Sequence, residues 1–275
     1  MARKIVFTSG KGGVGKTTVC ANLGVKLASM GLRVVMVDLD IGLNNLDVVM
    51  GIENKIVYDI VDCLENKCRI RQALVQDFRY PNLYILPSSH LFSSKSVNAH
   101  NLKMIVDTLA VSYDYVLIDC PAGIDIGFHR AVFCADEALV VTTPHISSIR
   151  DADKVISVLK SYNLISTKLI VNRIRGDLVL NGEMVEATRI AKLLKTDLLG
   201  VIADEDILGS QIAGKILKTQ NKNLNSIDIL GLNLHNGTNH VYDYMSKYRG
   251  LFGNLKRVLR GKLWKMMPKI VCKEH

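Results

Sequence analysis

Residues 10–17 read GKGGVGKT, and this octet holds the densest chemical signal in the chain. Gly10, Gly15, Lys16 and Thr17 satisfy the phosphate-loop pattern G-x-x-x-x-G-K-[ST]. In that pattern backbone N–H groups cradle phosphates, the lysine reaches the β- and γ-phosphates, and the hydroxyl meets Mg²⁺. Gly12, Gly13, Val14 and Thr18 complete the cradle, and Lys11 places a second lysine where the pattern requires no chemistry. Three carboxylates stand where apolar runs end: Asp38 and Asp40 in VVMVDLDIG, and Asp119 in YVLIDCPAG. Carboxylates at the C-terminal ends of neighbouring parallel strands converge on the crevice where such sheets bind ligands. Asp119 reads as the holder of Mg²⁺, through water. Spacing alone does not separate which of Asp38 and Asp40 orients an attacking water, and plain polar strand ends are the alternative. Gly123, just after Pro121 and Ala122, lets a backbone N–H meet a γ-phosphate and move once that group leaves.

The elements that must position these groups are legible as hydrophobic periodicity. Short runs rich in Val, Ile and Leu occur at 4–8, 33–38, 83–86, 115–119, 138–142, 168–171 and 198–202. Continuous apolar runs suit strands covered on both faces, and the segments 16–30, 97–111, 147–162 and 182–195 suit crossover helices. The expected fold is α/β: a doubly wound, mostly parallel sheet of P-loop NTPase type with helices on both faces. The octet then lies between the first strand and the first helix, which is the context a phosphate loop needs. The stretch 218–239, rich in Asn, reads as a surface excursion in which 227–234 allows an edge strand.

Composition bounds the rest. The chain has 275 residues, 48% hydrophobic and 22% charged, which predicts one main globular domain. Its opening, MARKIVFTSG, lacks the apolar core of a leader, and no apolar stretch reaches the length of a membrane span, so a cytoplasmic start is expected. Six cysteines without a C-x-x-C pair read as small core hydrophobes and disfavour zinc or iron–sulfur chemistry. The net charge of +9 is concentrated after residue 246, where nine Lys and Arg face a single Glu; the body carries only +1.

The basic segment divides the chain into an expected ATPase domain, 1–246, and a tail, 247–275. On a helical wheel Leu251, Phe252, Leu255, Val258 and Leu259 share one face, with Lys256 at its edge and Arg257 and Arg260 outside it. An apolar face bordered by cations predicts an amphipathic helix lying in an anionic membrane interface. A nucleic-acid arm is the competing reading of the same charge, but phosphate contacts do not call for Phe252 or Leu259.

The loop with its second lysine resembles the deviant Walker A motif of the MinD/ParA ATPases. The phrases DLDIGLNNLDVVMG (38–51), VYDIVD (57–62), LYILPSS (83–89), DCPAGID (119–125) and SSIRDAD (147–153) resemble the septum-site-determining branch of that family. The resemblance implies an ATP-dependent homodimer in which Lys11 contacts the phosphates held by the partner. It implies Asp40 on the attacking water with Asp38 in support, Asp119 on Mg²⁺ through water, and Asn172 at the adenine edge. It places Arg150 and Asp151 near a surface that meets a MinC-type septum inhibitor and a MinE-type activator. It further implies Mg-dependent hydrolysis that is slow without an activator, and a cytoplasmic protein that cycles to the inner face of the membrane through its C-terminal helix. Nucleic acid is not an expected partner, although a DNA-partition ATPase of the ParA kind is the alternative function. Two departures stand out: Ala203 occupies a position where the family often has proline in its base pocket, and residues 262–275 have no counterpart in the pattern.

Overall fold

The computed structural model describes residues 2–42, 45–89, 97–204, 224–250 and 253. The tail residues Leu251, Phe252, Leu255, Lys256, Arg257, Val258, Leu259 and Arg260 lie outside them, as does 205–223. Eight strands are present among the described residues: β1 (Arg3–Thr8), β2 (Val34–Asp38), β3 (Val75–Gln76), β4 (Leu83–Leu86), β5 (Tyr115–Asp119), β6 (Glu137–Thr142), β7 (Ser166–Ile174) and β8 (Asp197–Ala203). They form one sheet in the order β3-β4-β2-β5-β1-β6-β7-β8. Every pairing is parallel except β3 with β4.

All five residues of β2 and of β5 are buried, because helices cover both faces of the sheet. On one face Ile5, Phe7, Met36 and Leu117 pack with α1 (Lys16–Ser29) and α10 (Ser226–Asn236). On the other Val6, Val35, Val37 and Ile118 pack with α5 (Ala99–Ala110), α6 (Ile126–Phe133), α7 (Ile146–Leu159) and α9 (Ala187–Leu194). Short helices α2 (Leu46–Met50), α3 (Ile60–Leu64), α4 (Ile70–Ala73) and α8 (Gly176–Leu180) fill the connections. The doubly wound reading therefore holds, and each of the seven expected strands is found with both ends no more than three residues from those expected.

Three elements differ from expectation. Strand β3 is only two residues long and pairs antiparallel, too short to show a periodicity. The helix expected from Gly182 starts at Ala187 instead, after the separate turn of α8. The stretch read as a surface excursion with an edge strand contains α10. Its buried positions Ile227, Leu230 and Leu234 recur at helical spacing, and they pack against α1 and β8. A capping box opens it, with the Asn225 side chain accepting from the Asp228 N–H and the Asp228 side chain accepting from the Asn225 N–H. Gly237 closes it in the left-handed conformation, φ 69°.

Strand register levels the ends that matter. Phe7 and Asp38 are both neighbours of Asp119 across the sheet, so β1, β2 and β5 finish side by side. The phosphate loop follows β1 directly, at the point where the strand order reverses.

Candidate functional site

The octet wraps the start of α1. Gly15 is its N-cap residue, at φ 87°, a left-handed conformation that favours glycine. No side chain caps the helix and no acidic residue lies in its first turn, so its orphan N–H groups and positive dipole end face the cleft. An anion is the natural partner for such an end. Val14 is buried in the core beneath the loop, which anchors the backbone that the flanking glycines allow to curve. Gly10 is required for a different reason: a Cβ there would sit 2.3 Å from the backbone oxygen of Asp151.

Lys11, Gly12 to Thr18, Asp40, Asp125, Arg130 and Arg173 line a cleft of about 670 Å³. Lys16 is buried at its base, and its Nζ lies 2.5 Å from Asp119 Oδ1. Burial works against the ammonium, but the Asp119 carboxylate outweighs it and holds the Lys16 pKa above its ordinary value. The other oxygen, Asp119 Oδ2, is buried with no hydrogen-bond partner. Thr17 and Thr18 both line the cleft wall. Lys11, by contrast, is exposed at the rim.

The two carboxylates after β2 separate here. Asp38 is 1% exposed; its Oδ1 accepts from the Asp40 N–H at 2.9 Å and its Oδ2 from the Leu46 N–H at 3.3 Å. It braces the loop that carries Asp40. Burial raises the Asp38 pKa well above the usual carboxylate range and Asp119 adds to the shift, while the two N–H donors oppose it. Asp40 is partly exposed and faces the cleft; burial raises its pKa too, against the pull of Lys16.

Two further residues of the expected site make hydrogen bonds within the chain. Asn172 is fully buried: its Nδ2 donates to the Val14 carbonyl at 2.7 Å, and its Oδ1 accepts from the Arg173 N–H. It braces the loop from below, close enough that a Cβ on Gly15 would meet its Nδ2 at 2.5 Å. The cleft wall at that end is Arg173, whose φ of 57° is unusual for a non-glycine residue. Gly123, at φ 92°, donates its N–H to the Ser9 carbonyl at 3.0 Å rather than into the cleft. On α7, Arg150 is exposed, whereas Asp151 is half-buried with its backbone against Gly10 and its carboxylate 3.1 Å from Lys154.

Sequence reasoning missed Arg130 and Arg173. The signal for Arg130 was available: Asp125 is an N-cap residue, its side chain accepting from the N–H groups of Gly127 and Phe128, which starts α6 beside the cleft. Nothing local announces Arg173, because its direction follows from a backbone turn at the end of β7. Among the described residues no cluster of His, Cys, Asp and Glu suits a metal held by protein alone. No described helix is long and apolar enough to cross a membrane.

A family model described as an AAA domain matches residues 2–171. The chain is 48% identical over 230 residues to the septum site-determining protein MinD of Bacillus subtilis (strain 168), covering 82% of this chain and 86% of that one. Among solved structures, the MinD of an Aquifex aeolicus MinC:MinD cell division complex superposes with a TM-score of 0.80 at 40% identity, covering 88% of this chain and 99% of that one. The Pyrococcus horikoshii septum site-determining protein MinD, complexed with Mg-ADP, gives 0.74 at 31% identity, covering 85% and 96%. Fold, phosphate loop and relatives converge on one conclusion: the chain belongs to the MinD family of septum site-determining cell division ATPases.

Proposed function

We propose that this ATPase is a nucleotide-gated membrane switch: ATP closes two copies on each other, the closed pair binds membrane through its tails, and hydrolysis releases it. The observation that carries this reading is the contrast between two lysines of one loop. Lys16 is buried against Asp119 and serves the cleft of its own chain, while Lys11 stands exposed at the rim. A charge at the rim is free to reach phosphates bound by a second copy and to offset the repulsion between two triphosphates. The exposed Ile126 at the start of α6 and Ile146 at the start of α7 give that face apolar surface to bury.

Nucleotide enters by exchange. Lys16 passes from Asp119 to the β- and γ-phosphates, and the N–H groups of residues 12–18 take the remaining oxygens. The donor set fits Mg²⁺, a hard cation that takes oxygen ligands: the orphaned buried Oδ2 of Asp119, through water, and the hydroxyl of Thr17. When bound, the ion supplies neutralisation of the phosphate charge. Asp40, steered by the Asp38 brace, orients the attacking water and is placed to accept its proton. Because Asp40 sits on a loop and not on a rigid element, turnover is slow until a partner steadies it. Gly123 exchanges its Ser9 carbonyl for a γ-phosphate oxygen and returns after hydrolysis. Asn172 supports base binding indirectly, by holding the loop.

Arg150 and Asp151 lie on a helix whose backbone touches Gly10, so a MinC-type inhibitor or a MinE-type activator docking there would sense the state of the loop. Residues 1–246 act as the ATPase domain and 247–275 as the membrane tail of a cytoplasmic protein that cycles to the inner membrane face. One tail binds weakly, and two on one dimer act at high effective concentration. Sedimentation with anionic liposomes tests this, comparing ATP with ADP and the full chain with one ending at Lys247. Pelleting is expected only with ATP and the tail together. Pelleting with ADP as well would make the tail a constitutive anchor and refute the gating; binding to duplex DNA in place of liposomes would favour the partition alternative.

A further inference from the structure

Cys63 closes the last turn of α3 and Cys68 precedes α4, five residues apart in sequence, yet their sulfurs lie 3.5 Å from each other. The turn between them is held by the Lys67 N–H donating to the Asp62 carbonyl at 2.9 Å and the Asn66 N–H to the Cys63 carbonyl at 3.2 Å. Asn66 adopts φ 59°, the left-handed kink that folds the chain back so the two thiols meet. Both residues are half-buried at the edge of the core, whereas Cys20, Cys120 and Cys134 are buried in it. A disulfide needs the sulfurs about 2.05 Å apart, so closing the gap takes roughly 1.5 Å, within the range of side-chain rotation. Lys67, on one side of Cys68 in sequence, is paired with Glu65 at 2.7 Å and Asp62 at 3.3 Å, while Arg69 on the other side is exposed and suits the approach of an anionic reagent.

We propose that Cys63 and Cys68 form a reversible redox site that reacts with small anionic disulfides, glutathione disulfide being the representative. Cys68 loses its proton and attacks one sulfur of the small disulfide, forming a mixed disulfide and expelling a small thiolate. Cys63 then loses its proton and attacks the Cys68 sulfur, closing the Sγ–Sγ bond and expelling the second small thiolate. Two protein thiols are oxidised, one small disulfide is reduced to two thiols, and the two protons pass to the leaving groups. The order follows from the surroundings of Cys63: burial, the hydrogen bond with Cys68, and Asp59 and Asp62 push its thiol up to about 12, so little of it is thiolate and it attacks only a disulfide sulfur already held beside it.

The test is peptide mapping of the full chain after timed exposure to glutathione disulfide, with free thiols alkylated under denaturing conditions. A Cys63–Cys68 cross-link lighter by about 2 Da than the dithiol is expected to form at least tenfold faster than modification of Cys20, Cys120 or Cys134, and to reverse with dithiothreitol. Cys63→Ser is expected to trap the mixed disulfide on Cys68, and Cys68→Ser to leave position 63 unmodified. Free thiols surviving at 63 and 68, or a lasting mixed disulfide on Cys68 in the native chain, would overturn the proposal.

Discussion

Replacing Asp119 by Asn tests the apo site directly. The native chain holds Lys16 at 7% side-chain exposure against an Asp119 that is 1% exposed. Removing one partner of a buried pair costs about 3–5 kcal/mol, because the remaining charge is left without compensation. For a chain of this size each kcal/mol lowers the melting temperature by about 2–4 °C, so nucleotide-free Asp119→Asn should melt roughly 6–20 °C lower. Lys16→Met with Asp119→Leu should recover most of that loss, since an apolar pair of similar volume leaves no buried charge. The pH response should change from flat to rising between pH 7 and 10. In the native chain Lys16 has a folded pKa above its unfolded value of about 10.4, so its contribution is full below that pH and is lost as pH rises through the folded value. In Asp119→Asn the buried ammonium has lost its counter-charge, burial depresses its pKa, and stability should rise with pH up to about 10.4, by at most ~1.4 kcal/mol per unit. Thermal melts at pH 7, 8, 9 and 10 measure both effects. If the variant melts within about 2 °C of the native chain and shows the same pH slope, Lys16 is not resting on Asp119 without nucleotide, and entry by exchange is wrong.

Lys11→Ala should bind nucleotide as the native chain does but fail to dimerise with ATP, which analytical ultracentrifugation reads; ATP dimers of this variant would leave the rim lysine without its role. Asp40→Ala should retain nucleotide binding and lose turnover by about 10²-fold or more, the scale of a lost general base. Asp38→Ala should act differently: it orphans the buried Leu46 N–H and releases the Asp40 loop, lowering stability by about 1–3 kcal/mol together with turnover. Two glycines should diverge in denaturant melts. Gly10→Ala drives a Cβ to 2.3 Å from a backbone oxygen and should cost about 1–3 kcal/mol, whereas Gly12→Ala in the same loop meets nothing within 4 Å and should stay within about 1 kcal/mol of native.

The sequence by itself determined the central strands, because a parallel sheet buried on both faces writes its strands as unbroken apolar runs such as VVMVD and YVLID. It also determined the phosphate loop, since glycine spacing and the flanking strand and helix are local constraints. Where local signal conflicts, reading fails. Residues 227–234 carry Ile and Leu at spacings that suit a strand as well as a helix, and only the pocket between α1 and β8 selects the face that holds Ile227, Leu230 and Leu234. The capping pair Asn225 and Asp228 was the available clue. Tertiary structure alone decided the difference in depth between Asp38 and Asp40. Both end the same strand two residues apart, and what separates them is depth: one is enclosed by the N–H groups of its own loop, the other faces the cleft. It also decided that Asn172 braces the loop, that Asp151 presses on Gly10, and that Cys63 meets Cys68. The first two are contacts made by chain direction and register, which residue types and spacing do not encode until the sheet brings distant strand ends level, and the third is made by the turn that Asn66 folds back at φ 59°.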